Sequence, residues 1–576
     1  MKSASARKAW IAFAVAAVSV LIAAPSARAA IGFGGGLSAQ PADSQAGANT
    51  NFTINMPFTG SGQGDSVRDL TVHLPPGLIG NPTATPLCTL QQFQTGSAGS
   101  CPAASQVGTV SVGASAIVLG LPVPLPTPIT GTIYNMEPQP GEPARFGIVL
   151  RSIPVDLPIL GDVVLRPIKQ QSGVELRDDL GLDTVLNDIP NTAELISGVD
   201  LPIQITSQTL TLFGEIDGKG FMRNPTSCKQ HAVGFDATDH TDDTASGQAT
   251  FTTTGCDKLA FDPKLSATVG SPGHTDPATK PPLTAVIRQK ADEAGLKRAA
   301  VILPDGVTAD STVLGNRCPT QQFQASQCPA NSVIGTATAV TPLLTAPLSG
   351  QVSIVEPLTP GGLPNLGVDL KGPLPLQLRG NFVLVPGPGN VFEGLPDTPI
   401  TRFQLDFDPD KLVLLTRDLC QPPPPVAHAD FEGHNGRKIS KDVAAGVNGC
   451  GARAAKPTAK VKLRRSRSEH PRMKVKVKAG ISGLKKVNVK LPKQLRLAKG
   501  KKFKRGAKAS DGEVAGKRRK LKVKSDEGVA QFTVKVRKRG LDRVKTIKKG
   551  KRLRFPIKVT DVTGGTTRLK PRAKAR

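Results

Sequence analysis

Eight cysteines, at 88, 101, 228, 256, 318, 328, 420 and 450, are the residues of this 576-residue chain whose spacing most directly implies chemistry. Two chemistries suit an even cysteine set: disulfide formation in an oxidising compartment, or zinc ligation. No Cys-x-x-Cys pair occurs and no histidine recurs at ligand spacing, so disulfides are expected. Carboxylates cluster twice. Asp236, Asp239, His240, Asp242 and Asp243 could offer oxygens to Ca²⁺, and Asp406, Asp408 and Asp410 alternate as at the start of a calcium loop. The second lacks the glycine and distal glutamate of that motif, and the first has no counterpart elsewhere in the chain. Solvated loop and strand-end turn are the better readings, with Glu215 taking the place of the second cluster in an earlier copy of the same pattern.

Other residues fit catalysis less well. Glu137 and Glu356 each precede a proline in separate copies of a repeat, so acid–base work in one shared site is not expected of them. Arg177, Asp178 and Asp179 form the dense polar group of a non-repeated stretch near 155–200, where a hydrolase site would have to lie. The histidines, His73, His231, His240, His274, His428, His434 and His470, do not recur between copies. No Gly-x-Ser-x-Gly elbow, His-Glu-x-x-His helix or phosphate loop occurs. The expectation is a non-enzyme with no catalytic residue, metal or cofactor.

Charge is the remaining functional signal. Residues 451–576 carry 45 Lys and Arg against 7 Asp and Glu, a net of +38, whereas the whole chain nets +29, leaving −9 for the rest. Polyanion contact is assigned to Lys474, Lys476, Lys478, Lys501, Lys502, Lys504, Arg505, Lys517, Arg518, Arg519, Lys520, Lys535, Arg537, Lys538 and Arg539. The expected partner is an anionic cell-wall polymer or an anionic lipid surface. Nucleic acid is less favoured, because Phe503, Phe532 and Phe555 are the tail's only aromatic residues for stacking on bases.

Positioning these groups falls to a tandem repeat. Leu74-Pro75-Pro76-Gly77, Cys88, Gln91-Gln92-Phe93, Cys101-Pro102-Ala103 and Gly108-Thr109 recur as Leu303-Pro304-Asp305-Gly306, Cys318, Gln321-Gln322-Phe323, Cys328-Pro329-Ala330 and Gly335-Thr336. Glu137-Pro138 and Glu356-Pro357 continue the register, and each copy closes on a Gly-Cys, at Cys256 and Cys450. A duplicated unit repeats its own pairing, which leaves few of the possible sets, and of these the local one is expected: Cys88–Cys101, Cys228–Cys256, Cys318–Cys328 and Cys420–Cys450. Each bridge stabilises by about 2–4 kcal/mol, useful where aromatics are only 4%.

Short Val-, Ile- and Thr-rich runs broken by 59 Gly and 50 Pro predict an all-β chain: tandem disulfide-stabilised β-sandwiches, Ig-like or partly open barrels, then a small basic β-sandwich. In the tail, basic and aliphatic residues alternate at period two, as at Met473-Lys474-Val475-Lys476-Val477. Helix is expected over 284–296 and weakly over 184–196. The predicted divisions are a signal peptide (1–29), a flexible leader and first strand (30–64), a β-domain with an insertion (65–262), a Pro-rich linker (263–283), a second β-domain (284–450) and the basic domain with frayed ends (451–576).

The signal peptide rests on Lys2, Arg7 and Lys8, an apolar run from Trp10 to Ala24, Pro25, and small Ala27 and Ala29. Its removal takes Trp10, the sole tryptophan, and leaves Tyr134 as the sole tyrosine. No later segment is apolar enough for a transmembrane helix. Leu395-Pro396-Asp397-Thr398-Pro399 lacks the glycine and the setting of a sortase signal.

Across 65–450 the repeated Leu-Pro-x-Gly, Cys, Cys-Pro-Ala, Gly-Thr frame resembles uncharacterised exported tandem β-domain proteins of high-GC actinobacteria, and the tail resembles the Ig-like modules appended to them. The resemblance implies setting and architecture but no activity or ligand. The expected function is that of a secreted or cell-surface structural protein of the envelope, held on anionic polymers by its basic domain. An adhesin or carbohydrate-binding module is the alternative.

Overall fold

A computed structural model describes residues 31–60, 63–96, 99–157, 161–537 and 539–575, so the expected signal peptide lies outside the described residues. The chain is 52% strand and 5% helix.

Each repeat builds one large sheet that curls almost shut, antiparallel along its path except where Gly446–Val447 runs parallel to Lys264–Val269. The first runs, in spatial order, through Gly32–Phe33, Phe52–Thr59, Asp200–Leu212, Gln106–Val118, Ile129–Met136, Ala144–Leu150, Ile168–Leu176, Leu182–Leu186, Val67–Leu74, Gln230–Asp239 and Thr244–Thr252. The second runs through Gly446–Val447, Lys264–Val269, Leu283–Arg288, Arg402–Phe407, Val333–Val340, Leu348–Val355, Asn365–Lys371, Leu376–Val383, Gly389–Phe392, Leu296–Ile302, Val426–Gly433 and Lys438–Ala444. From Phe52–Thr59 and from Leu283–Arg288 onward the two paths are the same. The repeated sequence therefore encodes a repeated topology. Near closure shows at the seam, where Gln40 Nε2 donates to Thr250 O at 2.9 Å.

Alternation decides which side chains face inward. In Phe52–Thr59, Phe52, Ile54, Met56 and Phe58 are buried while the residues between them are not. The Gly-Thr motif has a steric cause. Gly108 and Gly335 sit beside register shifts in their strands, and a Cβ there would lie 2.5 Å from Thr211 O and 2.0 Å from Asp406 O. Only glycine lets the neighbouring strand approach so closely.

All four disulfides take the expected local pairing. Cys88–Cys101 and Cys318–Cys328 each pin a one-turn helix, Leu90–Gln94 and Thr320–Gln324, whose phenylalanine (Phe93, Phe323) plugs against the outside of the sheet. Glu137 and Glu356 lie at this staple: their backbone amides donate to Cys88 O and Cys318 O.

Four sequence expectations need correction. Residues 284–296 are not a helix, since Leu283–Arg288 is a central strand bonded on both sides. Residues 184–196 likewise hold the strands Leu182–Leu186 and Thr192–Glu194. The glycine leader is part of the sheet: Gly32 and Phe33 pair with Thr59 and Phe58, and Phe33 packs on Phe58 and Phe235. In the Pro-rich linker, Lys264–Val269 is a strand, and only the stretch after it is loop. The insertion contributes the hairpin Ile153–Leu157 and Gly161–Leu165, with Val155, Leu157 and Leu165 buried.

The tail folds as two facing sheets. One is Thr458–Arg464, Arg472–Lys478, Gln531–Val536 and Ala507–Ala509; the other is Glu513–Lys517, Lys520–Val529, Leu484–Lys490, Ile557–Asp561 and Thr566–Leu569. Their inner faces share a core that includes Val475, Val487, Val523, Phe532, Phe555 and Val559.

Candidate anion-binding faces

Because every second residue of the tail strands is committed to that core, the basic residues between them are forced outward. Register then lines them up. Lys462 pairs with Lys474, Lys474 with Lys535, and Lys535 with Lys508, a row of four exposed lysines running straight across one sheet. Lys460 pairs with Lys476 and Arg464 with Arg472 on the same face. Directly opposed like charges destabilise a sheet. Among the described residues none of the row's four lysines makes an ion pair, and four of the module's seven carboxylates are engaged elsewhere: Glu469 and Asp542 face His470, Asp526 faces Lys524, and Glu527 reaches across to Lys441.

At one end of the row an open pocket of about 400 Å³ is lined by Arg505, Lys508, Lys535 and Arg537 together with Ser510 and Thr533. Cations and hydroxyl donors around an open hollow are the groups that an oxyanion accepts from. The opposite sheet carries a second hollow, about 430 Å³, edged by Lys490, Lys520, Lys558, Arg568 and Lys570.

Thirteen of the fifteen predicted contact residues therefore divide between two faces. Lys474, Lys476, Lys478 and Lys535 share the outer face of the first sheet, and Arg505 and Arg537 line its pocket. Lys501, Lys502 and Lys504 extend from the adjoining helix Gly500–Gly506. Lys517 and Lys520 pair on the second sheet with Arg518 and Arg519 at their turn, where the Arg519 guanidinium is committed to Leu491 O. Arg539 stands in a separate exposed turn, and Lys538 lies outside the described residues. Lys460, Lys462, Arg464, Arg472, Lys490, Lys508, Lys558, Arg568 and Lys570 were missed. The period-two pattern marks them as outward, but only strand register shows which of them meet.

The other sequence candidates resolve into structural roles. Asp239 is buried and accepts from the amides of Thr241 and Asp243 and the Thr241 hydroxyl, holding a tight turn; Asp242 pairs with Arg68, and His240 bonds Ile189 O. Among the described residues no group of three or more potential ligands could hold a metal ion. Asp406 accepts from Thr284 at 2.6 Å across two paired strands, and Asp410 sits in the following turn facing His274. Glu215 begins a two-residue hairpin turned by Asp217 and Gly218, both at positive φ. Arg177 is clamped by Asp179 and Asp183, while Asp178 is exposed. The same Asp183 meets His73 Nδ1 at 2.8 Å, and Asp236 meets its Nε2 at 2.9 Å. Burial pulls the His73 imidazole down, but the two carboxylates outweigh it and its pKa is raised.

No protein-family model and no curated protein matches the chain. Among solved structures it is similar to a Corynebacterium diphtheriae protein described as membrane anchored, at 10% identity over 81% of this chain and 96% of that one, with a TM-score of 0.17. It is also similar to a tetra-tandem repeat from the extending region of a large adhesion protein, at 10% identity over 95% and 98% of the two chains, with a TM-score of 0.16. Likeness at those scores carries no weight for function.

Proposed function

We propose that this is a non-catalytic, extracytoplasmic structural protein of the cell envelope, held by its basic sandwich on an anionic wall polymer. The four disulfides support the compartment, since such bonds persist outside the reducing cytosol. The observation that carries the binding role is the lysine row Lys462–Lys474–Lys535–Lys508. The fold accepts mutual repulsion there, and a linear polyanion laid across the strands would relieve it. The tail's three phenylalanines all belong to the core, so base stacking gains nothing from them.

Purified full-length protein titrated with polyphosphate at low and high salt tests this reading. Binding is expected to weaken steeply with salt, because exposed charges are screened within about 10 Å at 0.1 M. The triple variant K462Q/K474Q/K535Q should lose most of the salt-sensitive affinity. Salt-independent binding, or a triple variant that binds as well as the parent, would refute it.

A further inference from the structure

The second barrel carries apolar turns at both of its ends. At one end the first barrel covers them. Leu343 and Leu344, between the strands Val333–Val340 and Leu348–Val355, and Leu374 and Pro375, between Asn365–Lys371 and Leu376–Val383, line one hollow with Leu74 and Leu182 of the first barrel. Across the same joint Thr83 Oγ1 donates to Pro342 O at 2.8 Å.

At the opposite end two turns lie bare. Residues 356–364 join Leu348–Val355 to Asn365–Lys371, and residues 384–388 join Leu376–Val383 to Gly389–Phe392. They are neighbours, because Asn365 pairs with Asn381 and both Leu363 and Leu384 line one hollow. Leu358, Leu363, Leu384 and Val385 are 68%, 45%, 64% and 86% exposed. Beyond Glu356, whose carboxylate accepts from Thr320 N at 3.1 Å, neither turn holds a charged residue. The fold does not demand this composition. In the first barrel the same two turns, 137–143 and 177–181, include Glu137, Glu142, Arg177, Asp178 and Asp179. Asp305, exposed on the turn that abuts Pro388, gives the bare patch a polar rim. An apolar patch with such a rim marks an interaction surface. The basic sandwich docks elsewhere, on Ala445, Val447 and Leu265.

We propose that this patch pairs with itself: two copies of the chain meet end to end through the bare pole of the second barrel, about a two-fold axis. The internal joint supplies the precedent, since the other apolar end of the same barrel is already covered by a β-barrel of this chain. Self-pairing also suits the charge pattern, because an uncharged patch sets no like charges against each other. The far end of the first barrel is built differently. There Leu119, Leu121, Ile196 and Val199 are exposed beside the exposed carboxylates Asp156, Asp162, Glu194 and Asp200, which docking would desolvate. An isologous contact closes at two copies, whereas a head-to-tail contact between unlike ends would propagate. The two turns are small beside the roughly 20–30 residues a side of a standard interface, so the pair is weak and reversible. Pairing places two basic sandwiches on one particle without using any residue of either.

Sedimentation equilibrium of full-length protein across the micromolar range, without polyanion, tests this. The mass should rise from one chain towards two and stop there. Below that range the single chain predominates, and measurements of its own dimensions belong there. Association should not weaken as salt is raised, because the patch holds no ion pair and repulsion between two net-positive chains is screened. The variant L358S/L384S/V385S should raise the dissociation constant roughly tenfold or more while keeping the parent's thermal midpoint, since the replaced side chains are exposed. L119S/L121S, at the other pole, should pair as the parent does. A parent that stays monomeric, a mass that climbs past two chains, dissociation by salt, a folded triple variant that pairs as well as the parent, or loss of pairing in L119S/L121S overturns the proposal.

Discussion

His73 and His428 are each held between carboxylates, His73 by Asp183 and Asp236, His428 by Asp442 and Asp430. For His73, burial opposes the charged form and the aspartate bonds overcome it; for His428 the bond to Asp442 dominates. Both folded pKa values lie above the ordinary 6.5. The stability these pairs contribute is therefore complete below pH 6.5 and is lost as pH climbs through the folded values. His231 works oppositely. Burial against Phe251 lowers its pKa, so its contribution is present above 6.5 and lost as pH falls. His73→Gln should therefore cost about 0.5–1 kcal/mol at about pH 6 and close to nothing at about pH 9. Urea midpoints of parent and variant at the two pH values measure this, and an equal loss at both would show that the imidazolium pairs contribute nothing.

At the scale of strands, the glycine of the Gly-Thr motif is where sequence and sheet meet most tightly. Adding a Cβ at Gly335 puts it 2.0 Å from Asp406 O, so the strands Val333–Val340 and Arg402–Phe407 must part. Gly335→Ala should cost about 2 kcal/mol or more, whereas Gly315→Ala, with nothing within 4 Å, should be neutral or mildly stabilising. Thermal midpoints of the two variants decide it. That the motif recurs was legible in the sequence, and so was the disulfide pairing, because a duplicated unit admits few pairings. Strand alternation in the tail was equally plain. The helix expected over 284–296 failed because its charged second half, Lys290 to Glu293, carries helix formers, while Leu283, Ala285 and Ile287 alternate and are captured by strands on both sides. The paired lysine rows were not legible at all. Alternation tells which side chains face inward or outward; which of them meet depends on register and curvature, set by residues far away in the chain.

At the scale of the molecule, three β units are joined by contacts that are short and specific. Between the barrels, Asp397, 5% exposed and belonging to the sortase-like segment, accepts from the Thr226 amide at 2.7 Å and from its hydroxyl, and Arg223 reaches Glu293 O at 2.8 Å. The basic sandwich docks on the second barrel through backbone. Gly483 N donates to Ala445 O, Ser482 Oγ accepts from Val447 N, and Glu527 accepts from Leu265 N at 3.0 Å. Ala444 O fits into a hollow where Cβ atoms at Gly483 and Gly528 would stand 2.3 and 2.0 Å from it. A +38 module beside a −9 remainder suggests attraction through charge, and Glu527 does pair with Lys441 at 3.5 Å across the joint, but the hydrogen bonds of Gly483 and Ser482 and the close approach at Ala444 are neutral, and salt screens them little. Small-angle scattering separates the two accounts. The radius of gyration should stay constant as salt is raised, and Gly528→Val should increase it at every salt concentration while the circular dichroism of the sheets is retained. Expansion of the parent at high salt would instead show that the sandwich is held by charge, and polyanions competing for its lysines would then release it from the barrel.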